Sequence, residues 1–459
     1  MIKSWSKSVQ RAFSMAAWSA MVCLVLPPPA HADLQVLITK GVTDPIPIAI
    51  VPFAHALPPD GPFDVAAVIQ HDLDSSGRFR TMQRGQMRGT PSRADDVQAA
   101  DWKAAGNDYV VVGRVSVPSS TEIDIDCELI NTQTGATVGG QRFIATGASV
   151  RNASHQISDF VYEKILGVRG AFATRIAYIA VQKSGAGPVL SPAQAASPPS
   201  PLSQKYQLIV ADADGENPKV ILESTQPIMS PAWSPDGQWL AYVSFESRVS
   251  GVYVQTIRTG ERHLVSSRIG VNGAPAFSPD GQRLALTLSG SGGNLDIWLL
   301  DLATQALTRL TDDPAVDTEP AWTPDGRGIY FTSDRAGGPQ IYKLDVAQHS
   351  RVERITFGAP YNARPRTSPD GKKLAYVTRE GGAYRIAVQD LASGTVSVLT
   401  HGNLDESPSF APNGASIIYA GRDGEFGTLQ IVSVDGLVTE RLRSDQGEVR
   451  EPVWGPFVH

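Results

Sequence analysis

One short phrase, opened by a proline, recurs through the C-terminal part of the chain. Pro231-Ala-Trp-Ser-Pro-Asp-Gly237 returns as Pro275-Ala-Phe-Ser-Pro-Asp-Gly281 and Pro320-Ala-Trp-Thr-Pro-Asp-Gly326. Pro365-Arg-Thr-Ser-Pro-Asp-Gly371 and Pro408-Ser-Phe-Ala-Pro-Asn-Gly414 are looser copies, and Pro452-Val-Trp-Gly-Pro456 is a truncated last one. The leading prolines fall 44, 45, 45, 43 and 44 residues apart. A period of that length with strand-like content predicts propeller blades rather than helical repeats.

Each repeat reads as a four-stranded meander. The first strand runs into Ser-Pro-Asp-Gly, where Pro presets φ and Gly accepts a positive one. Second strands follow at Trp239–Ser244, Leu284–Leu288, Ile329–Thr332, Leu374–Thr378 and Ile417–Ala420, and third strands at Val252–Thr256, Asp296–Leu300, Gln340–Leu344, Tyr384–Val388 and Leu429–Val432. Upstream, Ile176–Val181, Tyr206–Val210 and Lys219–Leu222 match the second, third and fourth strands of a blade that lacks its first. Pro452 to Phe457 supplies the missing one. The expectation is therefore a six-bladed β-propeller over 171–459, closed by the C-terminal strand, with no open edge around the ring. The Pro-, Ala- and Ser-rich stretch 184–204 resembles a linker in composition, yet the repeat places it inside the first blade as a surface insertion.

Residues 33–170 have a different texture. Leu34–Ile38 and Ile46–Phe53 are strand-like, as are Tyr109–Val117, Glu122–Asn131 and Arg142–Ala145. Val65, Val68, Ile69 and Leu73 have helical spacing, as do Ile157, Phe160, Val161 and Ile165, with Gly167 placed to end the helix. This is a small N-terminal α/β domain, divided from the propeller between Gly167 and Phe172.

The first 32 residues read as a cleaved secretory signal. Lys3, Lys7 and Arg11 precede the apolar run Phe13–Leu26, and Ala30-His31-Ala32 offers the small-x-small pattern for cleavage between Ala32 and Asp33. No later run is long and apolar enough to span a bilayer. The net charge of −6 gives no basic excess for nucleic acid. Cys127 is the one cysteine beyond the signal, so no intramolecular disulfide is available. Its alternation with Ile123, Ile125 and Leu129 predicts a buried structural thiol.

Motifs for catalysis are missing. There is no Gly-x-Ser-x-Gly elbow, phosphate loop, dinucleotide fingerprint or His-Glu-x-x-His. Asp212, Asp214, Glu216 and Glu223 mimic EF-hand spacing, but Asn217 stands where that loop needs Gly and the flanks are strands, so the stretch reads as a hairpin turn. Asp236, Asp280, Asp325 and Asp370 are likewise turn residues. No metal, cofactor or catalytic residue is assigned.

The residues just before each motif proline vary while the rest of the repeat is monotonous. They are Met229 and Ser230, Asn272, Gly273 and Ala274, Thr318 and Glu319, Asn362 and Arg364, Glu406, and Arg450 with Glu451. Innermost propeller strands line the channel, so this set forms one mouth of it and is the expected docking surface.

These features together resemble the TolB family of the Tol–Pal system over nearly the whole mature chain. Pro47-Ile-Ala-Ile-Val-Pro-Phe53, Gly170-Ala-Phe-Ala-Thr-Arg-Ile-Ala-Tyr178, Ile228 through Glu246, Asn272 through Gly281, Thr318-Glu-Pro320 with Thr332-Ser-Asp334, and Leu404-Asp-Glu-Ser-Pro408 carry the resemblance. It implies a non-enzymatic, monomeric scaffold of the Gram-negative periplasm. Such a scaffold binds the lipoprotein Pal at the propeller mouth and TolA through its N-terminal segment, supporting outer-membrane constriction in division and envelope integrity. Other outer-membrane lipoproteins, porins and bacteriocins are further implied partners. Family positions in the Pal surface fall on Asn272, Gly273, Ala274, Thr318 and Glu319, and Val271 stands where relatives often carry His. The N-terminal element is Asp33 to about Lys40, in which Leu34, Val36 and Ile38 alternate as in a strand. It can lie on its own domain or add to another protein's sheet edge. The competing reading is a propeller hydrolase or lactonase acting within the channel, which requires convergent carboxylates and His there.

Overall fold

The computed structural model describes residues 36–37, 44–55, 64–184, 203–290, 292–348, 351–424, 426–442 and 447–457. The signal junction at Ala32–Asp33, Leu34 and Ile38, and residues 185–202 of the insertion lie outside them.

In the N-terminal domain, strands 79–81, 46–50, 109–119, 122–131 and 137–145 lie side by side in that order. Strand 46–50 is parallel to both its neighbours, and the last three strands form an antiparallel meander. Helices α1 (Val65–Ser75) and α3 (Val150–Leu166) pack Ile69, Leu73, Ile157 and Val161 against Ile48, Ile50, Ile125 and Leu129 on one face. The short helix α2 (Ala99–Ala104) brings Trp102 onto Ala49, Val51, Val110 and Val112 on the other. Strands covered on both faces need apolar residues in unbroken series, which is why Ile48–Val51 and Val110–Val112 do not alternate. Strand 79–81 and α2 carry no periodic signal in the sequence and went unread there. Asp64 caps α1 by accepting from the Ala67 N–H at 3.0 Å, and Gly167 ends α3 at φ 74°. Cys127 is buried, and that burial holds its thiol protonated well above the ordinary range.

The propeller has six four-stranded antiparallel blades. Blade one takes strands 175–184, 203–212 and 219–224 from one end of the repeat region and its inner strand 448–454 from the other. The pairing of 448–454 with 175–184 closes the ring, as expected. Blade one also extends further than the sequence suggests: Ser184 pairs with Ser203, so the insertion is narrowed at both ends. The motif aromatics join neighbouring blades. Trp233 Nε1 donates to the Val453 carbonyl at 3.2 Å, and Trp322 Nε1 to the Ala276 carbonyl at 3.0 Å. Where Thr367 replaces the aromatic, its hydroxyl donates to the Trp322 carbonyl at 2.8 Å and keeps the link polar. The repeated Asp236, Asp280, Asp325 and Asp370 each accept from the Ser or Thr two residues earlier, at 2.6, 2.5, 2.6 and 2.6 Å. They are turn residues.

In a meander blade, the links from second to third strand and from blade to blade share one face; the Pro-Asp-Gly turns and the third-to-fourth-strand turns share the other. The N-terminal domain sits on the second face. Arg151 meets Asp214, Arg78 meets Asp435 at 2.8 Å, and Asn413 Nδ2 donates to the Arg169 carbonyl at 3.2 Å. The mouth is on the opposite face. Residues 36–37 extend blade six, pairing antiparallel with Thr439 and Glu440 at its outer edge. These two residues thus lie on the propeller, not on the sheet of the N-terminal domain.

Candidate functional site at the propeller mouth

Each innermost strand breaks its pairing at the same place. The register slips between Met229 and Ala232, Gly273 and Ala276, Thr318 and Ala321, Ala363 and Arg366, Glu406 and Ser409, and Arg450 and Val453. The skipped residues are the motif proline, which has no N–H to contribute, and the residue before it. That preceding residue is left-handed in every blade: Ser230 (φ 53°), Ala274 (45°), Glu319 (57°), Arg364 (57°), Ser407 (56°) and Glu451 (50°). Left-handed backbone on a non-glycine residue costs on the order of 1–2 kcal/mol. The same backbone is repeated six times around one channel.

The bulge turns these residues toward their neighbours. Glu319 Oε1 accepts from Arg364 Nε at 3.1 Å, and its other oxygen accepts from the Arg364 N–H at 3.0 Å and the Thr332 hydroxyl at 2.9 Å. The Arg364 guanidinium continues to Ser407, and Glu451 accepts from the Ser230 N–H. Burial raises the Glu451 carboxyl above its ordinary range, against the pull of Arg364 and that N–H. Glu319 and Arg364 are therefore spent on each other. The channel behind them is a cavity of ≈ 340 Å³ walled by Ala232, Ala276, Ala321 and Val453, with Arg366 the one charged side chain at that depth. No histidine lines it among the described residues.

The residues singled out from the sequence divide into two kinds. Ser230, Ala274, Thr318, Glu319, Arg364, Glu406 and Arg450 are half-buried at the rim, as are Gly273 and Met229, the latter packed on the blade-two core. Asn272 and Asn362 are buried. Asn272 accepts from the Ser266 hydroxyl at 2.7 Å and the Arg268 N–H at 2.9 Å, and donates to the Arg268 carbonyl at 2.7 Å. Asn362 donates to Gln340 at 2.9 Å, and at the equivalent position Asp317 holds Arg335 at 2.8 Å. These side chains brace the loops between blades. The loops themselves carry what sequence reasoning missed. Ile269 is 99% exposed and Phe357 69% exposed, and Val271 and Val316 are exposed beside them. The blade register assigns all four to the blade-to-blade loops on the mouth face.

A second polar cluster lies across the domain junction. Asp72 of α1 accepts from His155 Nδ1 at 2.8 Å and from the Ser158 hydroxyl at 2.5 Å, all three buried. His155 Nε2 faces Asp214 of blade one at 3.7 Å, and Arg151 holds the same carboxylate. Burial opposes a charge on His155, but Asp72 and Asp214 outweigh it and lift its pKa to about 9. Asp72, His155 and Asp214 lie within ligand distance of one another. His155 Nε2 makes no hydrogen bond, while Asp72 Oδ2 is committed to His155 Nδ1 and Ser158 and Asp214 Oδ2 to the Arg151 guanidinium, so the trio forms a charge network joining two domains. The EF-hand-like spacing around Asp214 is a turn whose carboxylate serves that junction.

An α/β domain seated on one face of a six-bladed propeller, with a bulged rim on the other, defines a two-domain propeller protein. The comparisons agree across the whole fold. Residues 34–138 match the TolB amino-terminal domain and residues 162–458 the TolB beta propeller domain. The chain is 48% identical to the Tol-Pal system protein TolB of Methylococcus capsulatus, over 98% of this chain and 100% of that one. It is 47% identical to that of Thioalkalivibrio sulfidiphilus, over 95% and 97%. The crystal structure of TolB from Acinetobacter baumannii superposes with a TM-score of 0.81 at 40% identity, covering 93% of this chain and 100% of that one. The chain belongs to the TolB family of the Tol–Pal system.

Proposed function

We propose that this protein is a non-enzymatic periplasmic scaffold that binds Pal at the propeller mouth and TolA through the segment beginning at Asp33, in support of outer-membrane constriction and envelope integrity. Family membership supplies the partners. The observation that carries the mouth assignment is the combination of exposed Ile269, Val271, Val316 and Phe357 with a rim on which Glu319 and Arg364 are paired. Such a surface loses little by being dried. Titrating purified Pal onto Thr318→Trp and Phe357→Ser variants tests it. At least a tenfold loss of affinity with an unchanged melt is expected, and parental affinity in both would remove Pal from the mouth. Deleting residues 33–40 is expected to abolish TolA binding and leave Pal binding measurable. Retention of TolA by the deleted protein would refute that half.

A further inference from the structure

We propose that the propeller channel holds a small free monocarboxylate, bound by the Arg366 guanidinium one layer below the mouth; this goes beyond the scaffold reading and does not rest on it. The first residue to rejoin the ladder after each inner-strand bulge is Ala232, Ala276, Ala321, Arg366, Ser409 and Val453 in turn. These equivalent positions form one layer around the channel. Five blades place a small or aliphatic side chain there, and one places a cation. The Ser409 hydroxyl accepts from the Trp454 N–H at 2.9 Å and belongs to the joint between blades. Arg366 is thus the single charge at this depth, lining a cavity of ≈ 340 Å³.

Its guanidinium is short of partners. The one hydrogen bond it makes runs from Nη1 to the Pro365 carbonyl at 2.8 Å, a neighbour on its own strand. Among the described residues no carboxylate stands within ion-pair distance of it. The carboxylates that line the cavity are used at the rim, Glu319 on Arg364 at 3.1 Å and Glu451 on the Ser230 N–H. Burial lowers the Arg366 pKa from its ordinary value; Glu319 and Glu451 pull the other way, and Arg364 adds to the fall. An arginine keeps its proton in a protein, so the charge stays and lacks an answering one. A cation held among apolar walls is costly until an anion joins it.

The chemistry narrows the ligand. A planar guanidinium meets a carboxylate through two parallel N–H bonds. One guanidinium balances one negative charge, which a carboxylate carries and a phosphate dianion exceeds. Arg364, the other cation lining the cavity, is already held by Glu319. Ala232, Ala276, Ala321 and Val453 offer an apolar wall to a short alkyl stem. At about 30 Å³ per water in the liquid, the space admits such an acid with water around it.

Calorimetric titration of sodium propionate into the intact protein, in buffer free of other carboxylates, is the direct test. Saturable one-to-one binding is expected in the parent. Affinity should fall at least tenfold in Arg366→Met with an unchanged melt, and inorganic phosphate should bind the parent at least tenfold more weakly than propionate. Absence of saturable binding, or equal binding by Arg366→Met, overturns the site, and phosphate binding as tightly as propionate overturns the choice of ligand. Should Arg366→Met fail to fold, Arg366→Lys keeps the charge and loses the fork. At least threefold weaker binding is then expected, and parental affinity would refute the guanidinium's role. An acidic side chain of a docking protein is the other source of a carboxylate. Pal titrated onto the parent with and without saturating propionate separates the two. Equal Pal affinity supports a free acid, whereas a loss that disappears in Arg366→Met gives the site to the partner and overturns the free ligand.

Discussion

At the mouth, Ile269 and Phe357 stand in water while Glu319 and Arg364 behind them are tied to each other. At the opposite face the pattern inverts: Asp72 and His155 are buried and, with Arg151 and Asp214, hold two domains together. Both faces are ends of the same repeated blade. A surface that must later be covered can afford exposed apolar groups and internally paired charges. A permanent junction can bury charges only if each finds a partner. The comparison teaches where stability and binding separate: changes at the junction should unfold, and changes at the mouth should not.

The largest expected effect belongs to neither face. Deleting residues 452–459 removes Trp454, whose indole N–H donates to the Thr174 hydroxyl at 2.8 Å, and cuts short the inner strand of blade one that closes the ring. Insolubility or the loss of a cooperative melt is expected, and a thermal scan within a degree or two of the parent would show the closure to be dispensable. Next comes Asp72→Ala, which leaves a buried His155 without its counter-charge and should cost about 3–5 kcal/mol in denaturant titration. A loss below about 1 kcal/mol would mean water replaces the carboxylate and the junction is wetter than the geometry indicates. Ala274→Gly relieves a left-handed backbone at φ 45° and should stabilise by about 1 kcal/mol. A destabilised variant would show that the rim carries no strain. Smallest is Ile269→Ser, expected to move stability by no more than about 0.5 kcal/mol, because its side chain touches little in the free protein. A larger shift would break the separation between the two faces.

Much of the propeller was legible in advance because each blade announces itself with Pro-Asp-Gly and alternating strands, and because three orphan strands near residue 176 needed a fourth. Helices α1 and α3 were legible from their apolar spacing. The mouth was legible only as a set of variable positions. That Asn272 and Asn362 turn inward while Ile269 and Phe357 turn outward depends on loop geometry that no local pattern encodes. The left-handed rim runs against local expectation, since a residue before proline prefers extended backbone. The junction was the least visible part. Asp72, His155 and Asp214 come from three separate segments, and nothing in their spacing relates one to another. The docking of residues 36–37 on blade six was hidden for the same reason, because strand alternation shows what a segment can do and not which edge receives it.

Closure of the ring by residues 448–454 against 175–184 also sets an order of events. A chain emerging from its N-terminus assembles the strands of 175–224 long before their inner companion exists, and that half-built blade stays open until the final strand arrives. Contacts so distant along the chain form slowly. Completion of the propeller, and with it of the mouth, therefore waits on a contact between strands more than 260 residues apart in the chain.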